Sequence, residues 1–416
     1  MALHEGRMAM RLESTPELEA FRKRVRAFVA EHAPGVKKHA GVRAPEPALM
    51  PAIREWTAKL YEAGFLGIDW PKEYGGRPDA HPLEPFVVAE EIARARTWPP
   101  VGAAALASAA LIDFGSDEQR ARFLPRIRTC ADVWCQLFSE PGAGSDLAAL
   151  RTRARREGEG DEAVYVVDGQ KVWTTNGQYA DMGYLLARTD PDAPRHRGIT
   201  AFALDMRSPG VDIRPLREIT GTTDFNEVFL DGVRIPAAHV IGEVNAGWRV
   251  AMSSLGHERS GVAARGVELF AALDDLLRLA EGTSVGGRPA LDDSATRQDI
   301  GELATRVYVN AAMTALAQSR TLHGTEEPAD APFGKIFFSE LNHDLVAFGL
   351  RLQGTDGLLT EGDPDVAADG WWQDAHLYAR AYTIAGGANE VLRTQIAERG
   401  LGLPREPRGR AGEGRG

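Results

Sequence analysis

Cysteine, aromatic residues and long apolar runs are all scarce in this 416-residue chain. Cys130 and Cys135 are its two cysteines, too few for a disulfide framework, and no His or Cys cluster has the spacing of metal ligands. The longest apolar run, residues 101–112, is too short to cross a bilayer, and the N-terminal stretch lacks the apolar core of an export signal. We therefore expect a cytoplasmic protein with no metal site and no membrane insertion.

An excess of positive charge is also missing. The formal net charge is −11, which argues against nucleic acid or an anionic membrane as the main partner but leaves room for a local basic patch that holds a small anion. Apolar residues make up 44% of the chain, enough to bury the cores of two or three domains.

Hydrophobic periodicity changes twice along the sequence. Residues 1–132 carry helical spacing, residues 133–247 form short segments rich in β-branched and aromatic residues, and residues 248–402 return to helical spacing. The basic, glycine-rich tail at 403–416 is expected to be disordered. The pattern predicts an N-terminal helical domain, a central antiparallel sheet or barrel, and a C-terminal helical domain.

Two motifs of the β region suit an aromatic, phosphorylated ligand. The amides of "FSEPGAGSD" (138–146) and the hydroxyl of Ser145 suit a phosphate, although a tight turn explains the stretch as well. It lacks the third small residue and the β-α-β setting of a dinucleotide-binding fingerprint. In "KVWTTNG" (171–177), alternation places Trp173 and Thr175 on one face, which suits a stacked ring, while a core tryptophan is the commoner explanation.

A carboxylate interrupts an apolar helical stripe in the C-terminal region. Glu258 shares that stripe with Ala251, Leu255 and Val262. A carboxyl buried there has its pKa raised toward neutrality, which suits a general base. An ion pair with a distant arginine of another helix is the commoner explanation of such a position, although the adjacent Arg259 points about a hundred degrees away. Both interpretations stay open on the residues alone.

Taken together, these stretches resemble the acyl-CoA dehydrogenase family over nearly the whole chain. The resemblance is carried, in order, by "WPKEYGG" (70–76), "FGSDEQRARFLP" (114–125), "SEPGAGSD" (139–146), "KVWTTNG" (171–177), "NEVFLDGVRIP" (226–236) and "GGANEVLRTQIAERGLGLPR" (386–405). It implies an α+β fold with an N-terminal α-helical domain, a central antiparallel β-barrel domain and a C-terminal four-helix bundle, assembled as a tetramer.

The resemblance also implies FAD, bound between the β domain and the C-terminal helices. The positions that match the family's flavin contacts are Phe138, Ser139, Gly144, Ser145, Trp173, Thr175, Arg351, Gly387 and Glu390. The positions that match substrate contacts are Ser145, Gly256 and Arg259. The reaction implied is α,β-dehydrogenation of an acyl thioester, carried by CoA or an acyl carrier protein, with electrons passed to an electron-transfer flavoprotein.

The two places where this family carries its base differ here. The C-terminal "Y-E-G-T" motif of many members reads Ala-Gly-Gly-Ala at 385–388, whereas a second subgroup has a glutamate after "G-W-x-V-x-M", and "GWRVAMSSLGHER" matches it with Glu258. The resemblance therefore implies Glu258 as base and the Gly386 backbone N–H as a donor to the thioester carbonyl. Glu390 has no base role in this reading, and we expect Arg393 to pair with it.

Several family positions that clamp FAD from a neighbouring subunit have changed. Thr283, Gly286 and Ser294 stand where arginine, phenylalanine and glutamine are usual, and Arg351 replaces another glutamine. We expect either a homotetramer in which Arg288 substitutes, or a heterotetramer in which a paralogous subunit completes the flavin site.

Two missing side chains bear on the substrate. Gly256 and Gly386 stand where an aspartate and a glutamate often narrow the thioester pocket, so we expect a branched, cyclic or otherwise bulky acyl group. A flavin-dependent oxidase or monooxygenase on the same scaffold, and a subunit with a largely structural role, are the alternatives. Glu258 argues against both.

Overall fold

A computed structural model of the chain describes residues 15–256 and 261–405. Helices come first, a sheet follows, and helices return, as the change in hydrophobic periodicity predicts. Most of the tail predicted to be disordered, residues 406–416, lies outside the described residues.

The N-terminal region consists of helices whose apolar residues recur at helical spacing. They are α1 (Pro16–His32), α2 (Met50–Glu62), α3 (Glu84–Arg94), α4 (Ala104–Phe114) and α5 (Asp117–Arg128). In α1, Leu18, Phe21 and Val25 are buried, and the Thr15 side chain accepts a hydrogen bond from the Leu18 N–H at 3.2 Å, which fixes the helix start. Helix α4 lies at the centre of the largest apolar cluster, against the β region.

The central region is one mainly antiparallel sheet. Its strands are β1 (Trp134–Leu137), β2 (Arg153–Glu157), β3 (Val164–Thr175), β4 (Met182–Arg188), β5 (Ile199–Asp205), β6 (Val211–Leu216), β7 (Phe225–Pro236) and β8 (Val240–Ile241). The paired strands follow the order β6-β7-β3-β2-β4-β5-β8, and β1 and β2 pair β4 in parallel. Strands β4 and β5 are buried along almost their whole length, because helices cover one face and the sheet's own curvature covers the other.

The C-terminal region is a bundle of long helices. Its elements are α6 (Gly247–Gly256), α7 (Gly261–Glu281), the hairpin β9 (Ser284–Val285) and β10 (Arg288–Pro289), α8 (Ser294–His323), α9 (Asp330–Leu352), α10 (Trp371–Ile384) and α11 (Asn389–Gln395). Helices α7 to α10 share a core around Leu276, Leu341, Leu345 and Trp372. Within the described ranges, none of the helices combines the length and apolar character that a bilayer span requires.

Candidate active site

The glycine-rich loop begins where β1 ends. The Phe138 ring is buried and meets the edge of Tyr184 on β4, with 4.9 Å between ring centroids. Glu140 and Ala143 exchange two backbone hydrogen bonds of 3.1 and 3.0 Å, which close the turn. Gly144 and Ser145 beyond that turn are exposed, and a Cβ added at Gly144 would meet no atom of the described residues within 4 Å. The loop therefore presents its glycine backbone to open space.

A β-bulge turns the tryptophan of the second motif outward. Pairing between β3 and β7 shifts register between Lys171 and Thr174, and Trp173 in the bulge has a φ of 61°. Its side chain is 60% exposed, with Phe225 edge-on to it at 5.9 Å, while Thr174 is buried and Thr175 half-buried. Trp173 is thus not a core residue, and its exposed indole face is of the kind that marks a binding surface.

The loop and the bulge are in direct contact. The Ser139 carbonyl accepts a hydrogen bond from the Val172 N–H at 2.9 Å. In the part of the chain that the structure describes, the hydroxyls of Ser139, Ser145 and Thr175 have no hydrogen-bond partner. Free hydroxyls on the loop and on the strand that carries the exposed indole are suited to a ligand with an aromatic ring and many acceptors.

The Gly-Gly stretch forms the turn between α10 and α11. Gly386 and Gly387 have φ values of 66° and 94°, which side-chain-bearing residues rarely adopt. Neither backbone N–H has an acceptor among the described residues, and a Cβ added at Gly386 would meet nothing within 4 Å. The turn therefore offers free donors beside open space, as the predicted role of Gly386 requires.

A buried lysine that sequence reasoning missed supports this turn. Lys335 on α9 donates to the Gly387 carbonyl at 2.7 Å and to Asn389 Oδ1 at 2.8 Å. Burial, and then the Arg265 charge, lower the pKa of Lys335 to about 8, against the opposing effect of Glu390. A lysine between apolar residues of a helix is the one signal that the sequence offered.

Arg393 does not pair with Glu390 as predicted. Glu390 is exposed in the first turn of α11, and Arg393 pairs with Glu340 of α9 instead. The reason is packing: α11 lies along α9, so Glu340 reaches Arg393 across the interface. Glu390 follows the turn directly, as its predicted flavin-side position requires.

Glu258 and Arg259 lie outside the described residues. The helix that precedes them in the chain, α6, ends at Gly256, and its apolar residues face inward, since Ala251 is buried and Leu255 half-buried. Ser254 is fully buried, 3.3 Å from the Tyr184 hydroxyl. Helix α6 is thus joined through Tyr184 to the Phe138 end of the glycine-rich loop.

The positions of the altered clamp lie around the β9–β10 hairpin and the end of α9. Thr283 donates its hydroxyl to the Leu279 carbonyl, Gly286 is at the hairpin tip with a φ of 58°, and Ser294 opens α8. Arg288 is exposed on β10, and Arg351 is exposed with its guanidinium 5.3 Å from the Phe348 ring centre. Both arginines are on the surface, remote in sequence from the loop and the bulge.

Comparison with known proteins decides the family. Models of the acyl-CoA dehydrogenase N-terminal, middle and C-terminal domains match residues 15–130, 135–233 and 245–401. The acyl-CoA dehydrogenase IpdE1 of Mycobacterium tuberculosis is 38% identical over 403 residues, which is 94% of this chain and 100% of that protein. The chain belongs to the acyl-CoA dehydrogenase family. Its members are FAD flavoproteins and oxidoreductases that act on acyl-CoA.

Two solved structures of the family share the fold over nearly the whole chain. The Tcur3481-Tcur3483 steroid ACAD has a TM-score of 0.80 and 29% identity, with 95% of this chain and 99% of that chain covered. The ChsE4-ChsE5 complex from Mycobacterium tuberculosis has a TM-score of 0.79 and 31% identity, with 95% and 100% covered. The α+β fold expected from the resemblance, with helical, β and helical domains, is confirmed.

The residues on the β side fit FAD. The exposed Trp173 suits the flat isoalloxazine ring, and the free hydroxyls with the open Gly144 backbone suit its polar groups and the pyrophosphate.

No group of three or more His, Cys, Asp or Glu side chains in the described ranges is placed to hold a metal ion.

Proposed function

We propose that this chain catalyses the α,β-dehydrogenation of an acyl-CoA thioester, with Glu258 as base and FAD as oxidant. The observation that carries the proposal is the contact between the two halves of the site. Phe138 of the flavin-side loop packs on Tyr184, and Tyr184 touches Ser254 of α6, the helix that leads toward Glu258. That contact supports the proposal, because it joins the segment that precedes the proposed base to the loop that we propose to bind the flavin.

The roles of the residues follow from the reaction. Removal of the α-proton by the Glu258 carboxylate leaves negative charge on the thioester oxygen, and the Gly386 N–H, which has no acceptor among the described residues, is the donor that we propose to stabilise it. FAD would supply the two-electron acceptor for the β-hydrogen, while the α-proton stays on Glu258. Trp173, Ser139 and Thr175 orient the flavin, and Tyr184 with Ser254 keeps α6 against it.

A bulky acyl group is the substrate class that we propose. Among the described residues, no atom lies within 4 Å of a Cβ built on Gly386, which leaves room for such a group. One structural relative is titled a steroid ACAD, which fits the same expectation. A panel of acyl-CoA substrates tests it: we expect cyclic or steroid-like acyl-CoA to be preferred over butyryl-CoA, and a clear preference for butyryl-CoA would contradict the proposal.

The altered clamp favours a heterotetramer with a paralogous subunit over a homotetramer. Thr283, Gly286 and Ser294 supply neither a cation nor an aromatic ring, and the ChsE4-ChsE5 and Tcur3481-Tcur3483 relatives are named as two-chain proteins. Flavin content and mass of the chain expressed alone distinguish the two. One FAD per protomer in a tetramer of this chain would contradict a split flavin site.

Replacing Glu258 by glutamine tests the catalytic proposal, with Glu302→Gln as the matched control. Loss of a general base lowers turnover by about 10²- to 10⁴-fold, so we expect E258Q to lose that much while FAD content and assembly stay unchanged. Because Glu390 matches a flavin contact, the control is Glu302→Gln, which removes an exposed carboxylate of α8 with no role in the proposed site and is expected to stay within about threefold of the wild type. Full activity of E258Q in the assembled protein would instead favour the structural-subunit alternative.

The monooxygenase alternative makes a different prediction about oxygen. A thioester dehydrogenase that passes electrons to an electron-transfer flavoprotein is expected to reoxidise slowly in air after reduction by substrate. Stopped-flow absorbance of the flavin band measures that rate. Fast reoxidation with oxygen incorporated into the product would replace the proposed function by the alternative.

A further inference from the structure

A buried ion pair joins the glycine-rich loop to the tryptophan bulge. Lys171 Nζ lies 2.8 Å from Glu140 Oε1, and the two side chains are 0% and 7% exposed. Glu140 belongs to the turn after β1, and Lys171 to β3, immediately before the bulge. Neither side chain takes part in the mechanism above.

The Glu140 carboxylate closes the loop at both ends. Its Oε2 accepts the Arg151 N–H at 2.6 Å and its Oε1 accepts the Thr152 N–H at 2.9 Å, while its own backbone bonds to Ala143. The loop from 140 to 152 is therefore tied to one carboxylate.

The Lys171 ammonium makes the connection across to the strand. Besides Glu140, it donates to the Phe138 carbonyl at 3.1 Å. The next residue, Val172, donates its N–H to the Ser139 carbonyl. Two neighbouring strand positions thus hold two neighbouring flavin-side positions of the loop.

Stability alone does not explain a charged pair in this place. Desolvation of two ions offsets most of their attraction, and apolar residues of similar volume commonly stabilise a core as well or better. The ion pair fixes the distance between two segments that are not paired as strands at this point. An apolar pair would not fix that distance. The fixed segments are the two that carry Phe138, Ser139 and Trp173.

We propose that Glu140 and Lys171 are a positioning pair for the flavin, which holds the loop and the bulge at the spacing that FAD requires before FAD binds. The inference rests on the proposed flavin function and deepens it. Neither residue needs to touch the cofactor, because both act through the backbone of Phe138 and Ser139 and through the place of Trp173.

The N-terminal helices offer a matched control. Glu91 on α3 is 1% exposed and accepts from Arg22 at 3.0 Å and Arg26 at 2.7 Å. It is a buried carboxylate in an ion pair, like Glu140, but its partners hold two helices together. E91Q therefore reports what loss of a buried ion pair does when no flavin segment is attached to it.

The experiment compares wild type, E140Q, K171M, the E140Q/K171M double variant and E91Q. All are prepared in whichever assembly holds FAD, either the chain alone or the chain co-expressed with a paralogue. Each protein is stripped of flavin and titrated with FAD, and Kd is read from flavin fluorescence. Urea unfolding of the flavin-free protein is measured in parallel. We expect E140Q and K171M to raise the Kd for FAD by about 10- to 100-fold, as loss of a hydrogen bond to a charged group does, and E91Q to change it by less than about twofold. The double variant should lose less than the product of the two single losses.

The outcomes separate the two proposals. E140Q and K171M are compared without urea, where both are folded. If both then bind FAD with wild-type affinity, this inference alone is overturned, because the pair would only stabilise the core. Wild-type protein that takes up no FAD in either assembly overturns the inference and the proposed function together. Should E140Q or K171M not fold, Glu140→Asp keeps the charge but shortens the side chain, and its Kd for FAD decides in the same way.

Discussion

Two buried lysines support the two glycine-rich turns of the site, and they do so with different partners. Lys171, 0% exposed, donates to the Phe138 carbonyl and to an ionised carboxylate, Glu140. Lys335, 8% exposed, donates to the Gly387 carbonyl and to a neutral amide, Asn389. Burial is the main cause that lowers the pKa of each to about 8. The flavin-side loop is thus held by a charge pair, and the Gly386 turn by one cation among dipoles.

The difference predicts how strongly each half of the proposed site depends on its lysine. The Glu140 bonds to Arg151 and Thr152 do not involve Lys171, so we expect the loop to keep them when Lys171 is removed. The turn has two glycines of positive φ and no second cation bonded to its carbonyls in the described ranges. We therefore expect the C-terminal turn to depend more strongly on its lysine than the β-domain loop does.

Lys335→Met has the largest expected effect on that comparison. It leaves the Gly387 carbonyl and Asn389 Oδ1 without their charged donor, which loosens the turn that carries Gly386, the proposed donor to the thioester oxygen. We expect kcat to fall by about 10- to 100-fold, with KM within about threefold and the Kd for FAD raised less than in Lys171→Met. Steady-state assays with an artificial electron acceptor, and a flavin titration, measure the three quantities.

Lys171→Met is the control for this variant. It should raise the Kd for FAD and leave kcat at saturating FAD close to the wild-type value. If both lysine variants altered the same quantity to the same degree, the two turns would not be separately supported, and the comparison would fail.

Gly386→Glu and Gly386→Ala sharpen the comparison on the turn itself. Both force a side chain into a φ of 66°, a backbone strain of about 1 kcal/mol, so they should lose similar stability. Only glutamate extends into the open space, where it should raise KM for a bulky acyl-CoA by about tenfold. The two KM values, with unfolding curves of both variants, check this. Faster turnover of G386E on bulky substrates would contradict the proposed use of that space.

The sequence was sufficient for the order of the regions and for the motif positions. Helical spacing in α1 and the short β-branched segments are local signals, and the structure has a helix and strands at those positions. The loop at 138–146 and the turn at 385–388 are also local, so their glycines could be recognised without knowledge of the fold.

What the sequence could not provide are the contacts between distant positions. Lys171 and Glu140 are 31 residues apart, and Lys335 and Asn389 are 54 apart, so no periodicity relates them. The bulge at Trp173 depends on register between β3 and β7, which alternation within one strand does not reveal. Helical spacing within α11 pairs Arg393 with Glu390, whereas the packing of α11 on α9 brings Glu340 to Arg393 instead.

The pH dependence of stability gives the smallest effect and the most direct test of the different partners. The pKa of Lys335 is about 8 in the folded chain, below its ordinary 10.5, so between these values the unfolded chain binds more protons and stability rises with pH. Lys335→Met removes that rise, which is at most about 1.4 kcal/mol per pH unit.

Burial raises the pKa of Glu140, but the Lys171 charge and the Arg151 and Thr152 hydrogen bonds outweigh burial and hold this pKa below its ordinary value. Its contribution is therefore present at neutral pH and lost as pH falls through the folded pKa. Urea unfolding from pH 3 to 10.5 should thus separate K335M from the wild type above pH 8 and E140Q from it on the acid side. Variant curves that stay parallel to the wild-type curve throughout would contradict both predictions.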